Sequence, residues 1–110
     1  MENVSREQLE EWIHNKDDIL LIDILSKEDF DKRSIPGSIN VPFKNNANFI
    51  SDVERRLLSK QGRIILYCAN KKCTLSSEAA QKLDNAGFAN IYVLKEGVEG
   101  WLGKPRDEAA

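Results

Sequence analysis

Two cysteines, Cys68 and Cys73, are the residues of this chain best suited to nucleophilic chemistry, and Ala69, Asn70, Lys71 and Lys72 lie between them. Cys68 directly follows the apolar run Arg-Ile-Ile-Leu-Tyr at 63–67, and a helical pattern opens near residues 74–77. A thiol at the carboxyl end of a strand, held by a short loop that leads into a helix, meets backbone N–H groups and the positive end of the helix dipole. The ammonium groups of Lys71 and Lys72 add to that field, and each contribution favours thiolate, the nucleophilic form, over thiol. This reading requires the sulfur to face water. A Cys68 side chain entombed among aliphatic neighbours would instead be a small core hydrophobe.

Cys73 leaves two alternatives open. It is an incidental loop thiol, or it is a resolving thiol that attacks a persulfide or sulfenic acid on Cys68 and leaves an intramolecular disulfide. Spacing alone does not choose between them, because the geometry of a disulfide is not legible in sequence. His14 is the only histidine, and one histidine with two cysteines falls short of a four-ligand zinc set, so neither a metal nor a Cys-His dyad is expected. Trp12 and Trp101 read as packing residues. Asp23, at the end of an apolar run, either orients the reactive loop or caps the turn that follows it.

The elements that must position these residues are visible in the hydrophobic pattern. Continuous apolar runs at 19–24, 63–67 and 90–94 are rich in β-branched and aromatic residues, as expected of strands buried on both faces. Residues 39–41 add a short strand after the Pro36-Gly37 turn. Between the strands lie helical stripes: Leu9, Trp12 and Ile13; Phe49, Val53 and Leu57; then Leu75, Ala79, Leu83 and Ala86, ending at Gly87 and Phe88 in a left-handed cap. Ser5 and Gln8 form a capping box, with Val4 and Leu9 as its hydrophobic staple. Strands alternating with helices predict a mostly parallel sheet covered on both sides, an α/β sandwich. Residues 1–105 read as one domain and 106–110 as a frayed tail.

Composition narrows the function. The 110 residues carry a net charge of −2, and the 16 basic side chains are scattered among 18 acidic ones, which argues against nucleic acid as a partner. The longest aliphatic run, 19–22, is far short of the roughly 20 residues a membrane span needs, and no signal-peptide core opens the chain. A cytoplasmic protein without a membrane partner is expected. Two neighbouring cysteines lie too close to staple distant segments, which argues against a secreted disulfide scaffold as well.

Tyr67 and Cys68 entering a loop, followed by Ser76-Ser77-Glu78-Ala79-Ala80, resemble the active-site segment of rhodanese-like sulfurtransferases. Leu21-Ile22-Asp23, Phe30 and the run Ile35-Pro36-Gly37-Ser38-Ile39-Asn40-Val41-Pro42 are similar to that family's first signature. The segment from Val93 to Trp101, with Pro105, is similar to its terminal one. The resemblance implies a three-layer α/β/α sandwich around a mostly parallel five-stranded sheet. It also implies a sulfurtransferase in which Cys68 takes a sulfane sulfur from thiosulfate, polysulfide or a persulfide, becomes a persulfide itself, and passes the sulfur to a thiol acceptor. No cofactor and no metal are implied. The backbone amides of Ala69, Asn70, Lys71, Lys72, Cys73 and Thr74 would bind the anionic donor.

The sequence also departs from the family pattern. The loop is longer, placing Ser76 two residues later than in the usual sulfurtransferase; Leu25 and the Arg33-Ser34 pair replace an arginine and a Gly-His. No arginine lies in the loop, which leaves Lys71 and Lys72 as its cations and removes the bidentate group that a phosphatase on the same fold would need. Rhodanese-like proteins with two cysteines at this spacing resemble the chain further, implying a thiol-disulfide switch as one alternative. A non-catalytic binding module on the same scaffold is the other.

Overall fold

The computed structural model describes residues 1–57 and 62–103. Its strands are β1 (Glu2–Val4), β2 (Ile19–Asp23), β3 (Ile39–Asn40), β4 (Arg63–Tyr67) and β5 (Ile91–Leu94); its helices are α1 (Arg6–His14), α2 (Lys27–Lys32), α3 (Phe49–Arg56), α4 (Leu75–Asn85) and α5 (Gly97–Leu102). All strand pairs are parallel, in the order β1-β5-β4-β2-β3. β4 is therefore central, with Ile65 opposite Leu21 on one side and Tyr92 on the other.

The right-handed rule for parallel crossovers decides which face each helix covers. Connections running toward the β1 edge place α3 and α4 on one face, where Phe49, Val53, Ala79, Ala80 and Leu83 pack on Ile22, Ile64, Leu66 and Val93. The connection running the other way places α1 on the opposite face, where Leu9 joins Val4, Leu21, Ile65, Tyr67, Leu94 and Val98 of α5. The result is the expected three-layer α/β/α sandwich on a five-stranded parallel sheet. Because side chains alternate along a strand, Cys68 continues the Ile64 and Leu66 face toward α4, whereas Tyr67 points to the other layer.

Half of the capping box is present: the Gln8 N–H donates to Ser5 Oγ at 3.1 Å, but the Gln8 side chain turns to Glu11 at 3.1 Å and does not return to the cap. α4 ends as read: Gly87 takes φ +97°, and the N–H groups of Gly87 and Phe88 donate to the Asp84 and Leu83 carbonyls at 3.0 and 3.2 Å. Trp12 and Trp101 pack against the α1-side core, with the Arg63 and Arg6 guanidinium groups over their rings. The short elements β1, α2 and α5 carry too little hydrophobic period to be found by pattern. Residues 106–110, read as a tail, lie outside the described residues, as does Pro105.

Candidate active site

The loop that follows β4 is built on the carboxyl end of the central strand, where parallel sheets open their ligand crevice. Its base is clamped by α5: the N–H groups of Val98 and Glu99 donate to the Cys68 and Ala69 carbonyls at 2.9 and 3.0 Å. Gly97 permits that approach. With φ +67°, its backbone lies so close that a β carbon there would meet the Cys68 carbonyl oxygen at 2.6 Å.

Within the loop, the Cys73 N–H donates to the Asn70 carbonyl at 3.1 Å, and the Lys72 N–H donates to Asn70 Oδ1 at 2.9 Å. This turn folds Cys73 back over Cys68, and the two are joined as a disulfide with their α carbons 6.5 Å apart. Ser76, buried in the first turn of α4, lies 3.5 Å from Cys68 Sγ; a disulfide sulfur has no proton, so the serine hydroxyl is the donor. Lys71 and Lys72 are exposed and make no ion pair among the described residues. His14 is exposed on α1, in the layer on the far side of the sheet from Cys68.

Two expectations change. Cys68 is only 1% exposed and belongs to the aliphatic cluster of Ile22, Ile24 and Leu66, so its sulfur does not face water. Strand alternation aims the side chain at α4, and Cys73 covers what remains. Nor is the loop an open ring of amides. Asn70 already occupies those of Lys72 and Cys73, which leaves Ala69, Asn70, Lys71 and Thr74 with N–H groups that make no hydrogen bond among the described residues.

The residue before Cys68 anchors the same strand end from the other face. Tyr67 Oη accepts the Ile35 N–H at 3.0 Å and lies 2.9 Å from Ser38 Oγ. Ser38 directs its own proton to the Ile35 carbonyl at 2.7 Å, which leaves the phenol proton for Ser38 Oγ or the adjacent Asp23 carboxylate. Burial pushes the Tyr67 phenol up to about 12. Asp23, fully buried beside it, accepts the Leu25 N–H on Oδ1 at 2.8 Å, and its Oδ2 has no partner among the described residues. Burial holds that carboxyl above the usual aspartate range, against the opposing pull of the Leu25 N–H and the Tyr67 phenol. Asp23 thus caps the turn after β2 and does not reach the loop face.

Sequence reasoning missed three groups that hold the loop: Gly97, Glu99 and Arg33. Glu99 Oε2 accepts Asn70 Nδ2 at 3.2 Å and pairs with Arg33 Nη2 at 3.2 Å. An arginine therefore reaches the edge of the loop from the end of α2, outside the loop's own sequence. The Gly97 to Trp101 segment was visible as a motif, and only the fold shows what it grips. Among the described residues no cluster of metal-ligating side chains occurs, and no helix is long and apolar enough to cross a membrane.

Comparison with known proteins agrees with this architecture. The chain is 37% identical over 91 residues to the protein YibN of Escherichia coli strain K12, covering 82% of this chain and 60% of that relative, so it spans less than two thirds of the relative's length. The BH2092 protein of Bacillus halodurans superposes with a TM-score of 0.76 at 28% identity, covering 98% of this chain and 73% of that one. A thiosulfate sulfurtransferase of Pseudomonas aeruginosa superposes with a TM-score of 0.82 at 25% identity, covering 93% of this chain and 19% of the larger protein. The rhodanese-like domain profile matches residues 5–104, and the chain belongs to that family.

Proposed function

We propose that this chain is a sulfurtransferase in which Cys68 carries the sulfur and Cys73 closes over it. The observation that carries the reading is the placement of Cys68 at the end of the central strand, with the Cys73 sulfur on it and the Ser76 hydroxyl beside it. The likeness to a thiosulfate sulfurtransferase supports sulfane sulfur as the cargo.

In the dithiol form, the Cys68 thiolate attacks the outer sulfur of a small anionic donor such as thiosulfate, polysulfide or a persulfide. The donor's S–S bond breaks, its remainder leaves with the electron pair (sulfite, for thiosulfate), and Cys68 becomes a persulfide. The free amides of Ala69, Asn70, Lys71 and Thr74, with the Lys71 and Lys72 ammonium groups, hold the incoming anion. An acceptor thiolate then attacks the outer sulfur, forming its own persulfide and returning Cys68 as thiolate. The chain works in the cytoplasm without cofactor or metal. Cys68 packs in the aliphatic cluster under Cys73, so this reading requires that reduction of the disulfide withdraw Cys73 and expose the Cys68 sulfur to the donor.

The disulfide favours a second reading, a thiol-disulfide switch on the same site. The Cys73 thiolate attacks the inner sulfur of the Cys68 persulfide, the S–S bond to the outer sulfur breaks, and hydrosulfide leaves. A dithiol reductant would reopen the loop.

Intact-mass spectrometry after reduction and exposure to thiosulfate or polysulfide tests both readings. One added sulfur atom should map to Cys68, and Cys68→Ala should take up none; after loading, Cys73→Ser should retain the persulfide that wild type discharges as a disulfide. If fully reduced Cys68 resists both sulfur donors and iodoacetamide, it is a core residue and the proposal fails.

A further inference from the structure

We propose that Asn70, Glu99 and Arg33 form a positioning strap that sets how readily Cys73 closes on Cys68, a property that rests on the disulfide closure proposed above. Asn70 is the pivot of the loop. Its carbonyl and its Oδ1 accept the N–H groups of Cys73 and Lys72, shaping the turn that carries the second sulfur back to the first. Its side-chain nitrogen, Nδ2, is committed to Glu99 Oε2 at 3.2 Å. With Oδ1 and Nδ2 both engaged, the amide can adopt only one orientation.

Glu99 is itself held from two sides. Its backbone N–H donates to the Ala69 carbonyl at 3.0 Å, fixing the first turn of α5 to the loop, and the Arg33 guanidinium lies 3.2 Å from the same Oε2 that receives Asn70. The cation holds the carboxylate ionised and oriented toward the loop, so that Asn70 donates to a charged acceptor. None of the three side chains contacts either sulfur. Their effect is to fix the turn in the shape that brings Cys73 to Cys68, raising the effective concentration of the second thiol.

Asn70→Asp isolates the link to Glu99, because aspartate still accepts the Lys72 N–H but sets a carboxylate against a carboxylate. Combining it with Glu99→Gln reverses the polarity of the pair, since the new amide can donate to the new carboxylate. The readout is the equilibrium between dithiol and disulfide in thiol redox buffers, followed by alkylation and mass. Asn70→Asp should lower the closure constant about tenfold, the scale of one charge-assisted hydrogen bond, and the double variant should recover to within about threefold of wild type. Circular dichroism checks the fold. Arg33→Ala, outside the loop, carries the test if Asn70→Asp does not fold, with an expected loss of about threefold.

Closure of Asn70→Asp equal to wild type, or no recovery in the double variant, overturns the strap and leaves the sulfur-transfer reading standing; with Arg33→Ala in use, an unchanged closure constant does the same. If wild type takes sulfur on Cys68 but never forms the disulfide, closure itself is wrong and the strap falls with it. If wild type closes but never takes sulfur, the transfer reading alone fails.

Discussion

The backbone of Gly97 lies against the peptide joining Cys68 to Ala69, so that a β carbon at position 97 would fall 2.6 Å from the Cys68 carbonyl oxygen. This contact lets α5 hold the sulfur-bearing loop by two backbone hydrogen bonds.

Gly97→Ala should therefore damage the loop and the fold together. The backbone is left-handed at φ +67° and the clash is with backbone atoms, which cannot rotate away. Strain and overpacking should cost about 2–4 kcal/mol in urea denaturation under reducing conditions, and Cys73 should close on Cys68 more slowly.

Tyr67→Phe removes the acceptor of the buried Ile35 N–H and the hydroxyl partner of Ser38 while leaving the ring in place. The orphaned amide should lower stability by about 1–3 kcal/mol. Fluorescence-monitored denaturation checks this, and an unchanged midpoint would contradict the hydrogen-bond assignment.

Ser76→Ala deletes the hydroxyl placed against the Cys68 sulfur, 3.5 Å away. Iodoacetamide should react with reduced Cys68 roughly threefold to tenfold more slowly, with little change in melting temperature, because a hydrogen bond to an anionic sulfur is worth more than one to a neutral thiol. Stopped-flow alkylation of the reduced protein, with Cys73→Ser as background, measures it.

Asp23 supplies a pH dependence whose sign follows from its surroundings. Burial raises its carboxyl above the ordinary value of 3.8, so the folded state binds the proton more tightly than the unfolded chain does. Its contribution to stability is greatest below that ordinary value and is lost as pH rises through the raised one. Asp23→Asn does not titrate, and its stability relative to wild type should climb across that interval. Urea titrations at several pH values would show a flat difference if Asp23 is ordinary.

The sequence by itself determined the alternation of strands and helices, the cap at Gly87, and the position of Cys68 after the apolar run that became the central strand. These are properties of local period and turn chemistry, readable within a few residues. β1, α2 and α5 escaped that reading because they are too short to show a period, and β1 forms only by pairing with β5. Tertiary structure alone decided which way Cys68 faces, that Cys73 covers it, and that an arginine from the end of α2 stands at the loop's edge. Cys73 and Cys68 meet within one loop, whereas Arg33 and Glu99, 66 positions apart in the chain, meet across a sheet order that no local pattern specifies. The hand of the crossovers, the side-chain alternation along β4 and the clearance at Gly97 settle those meetings.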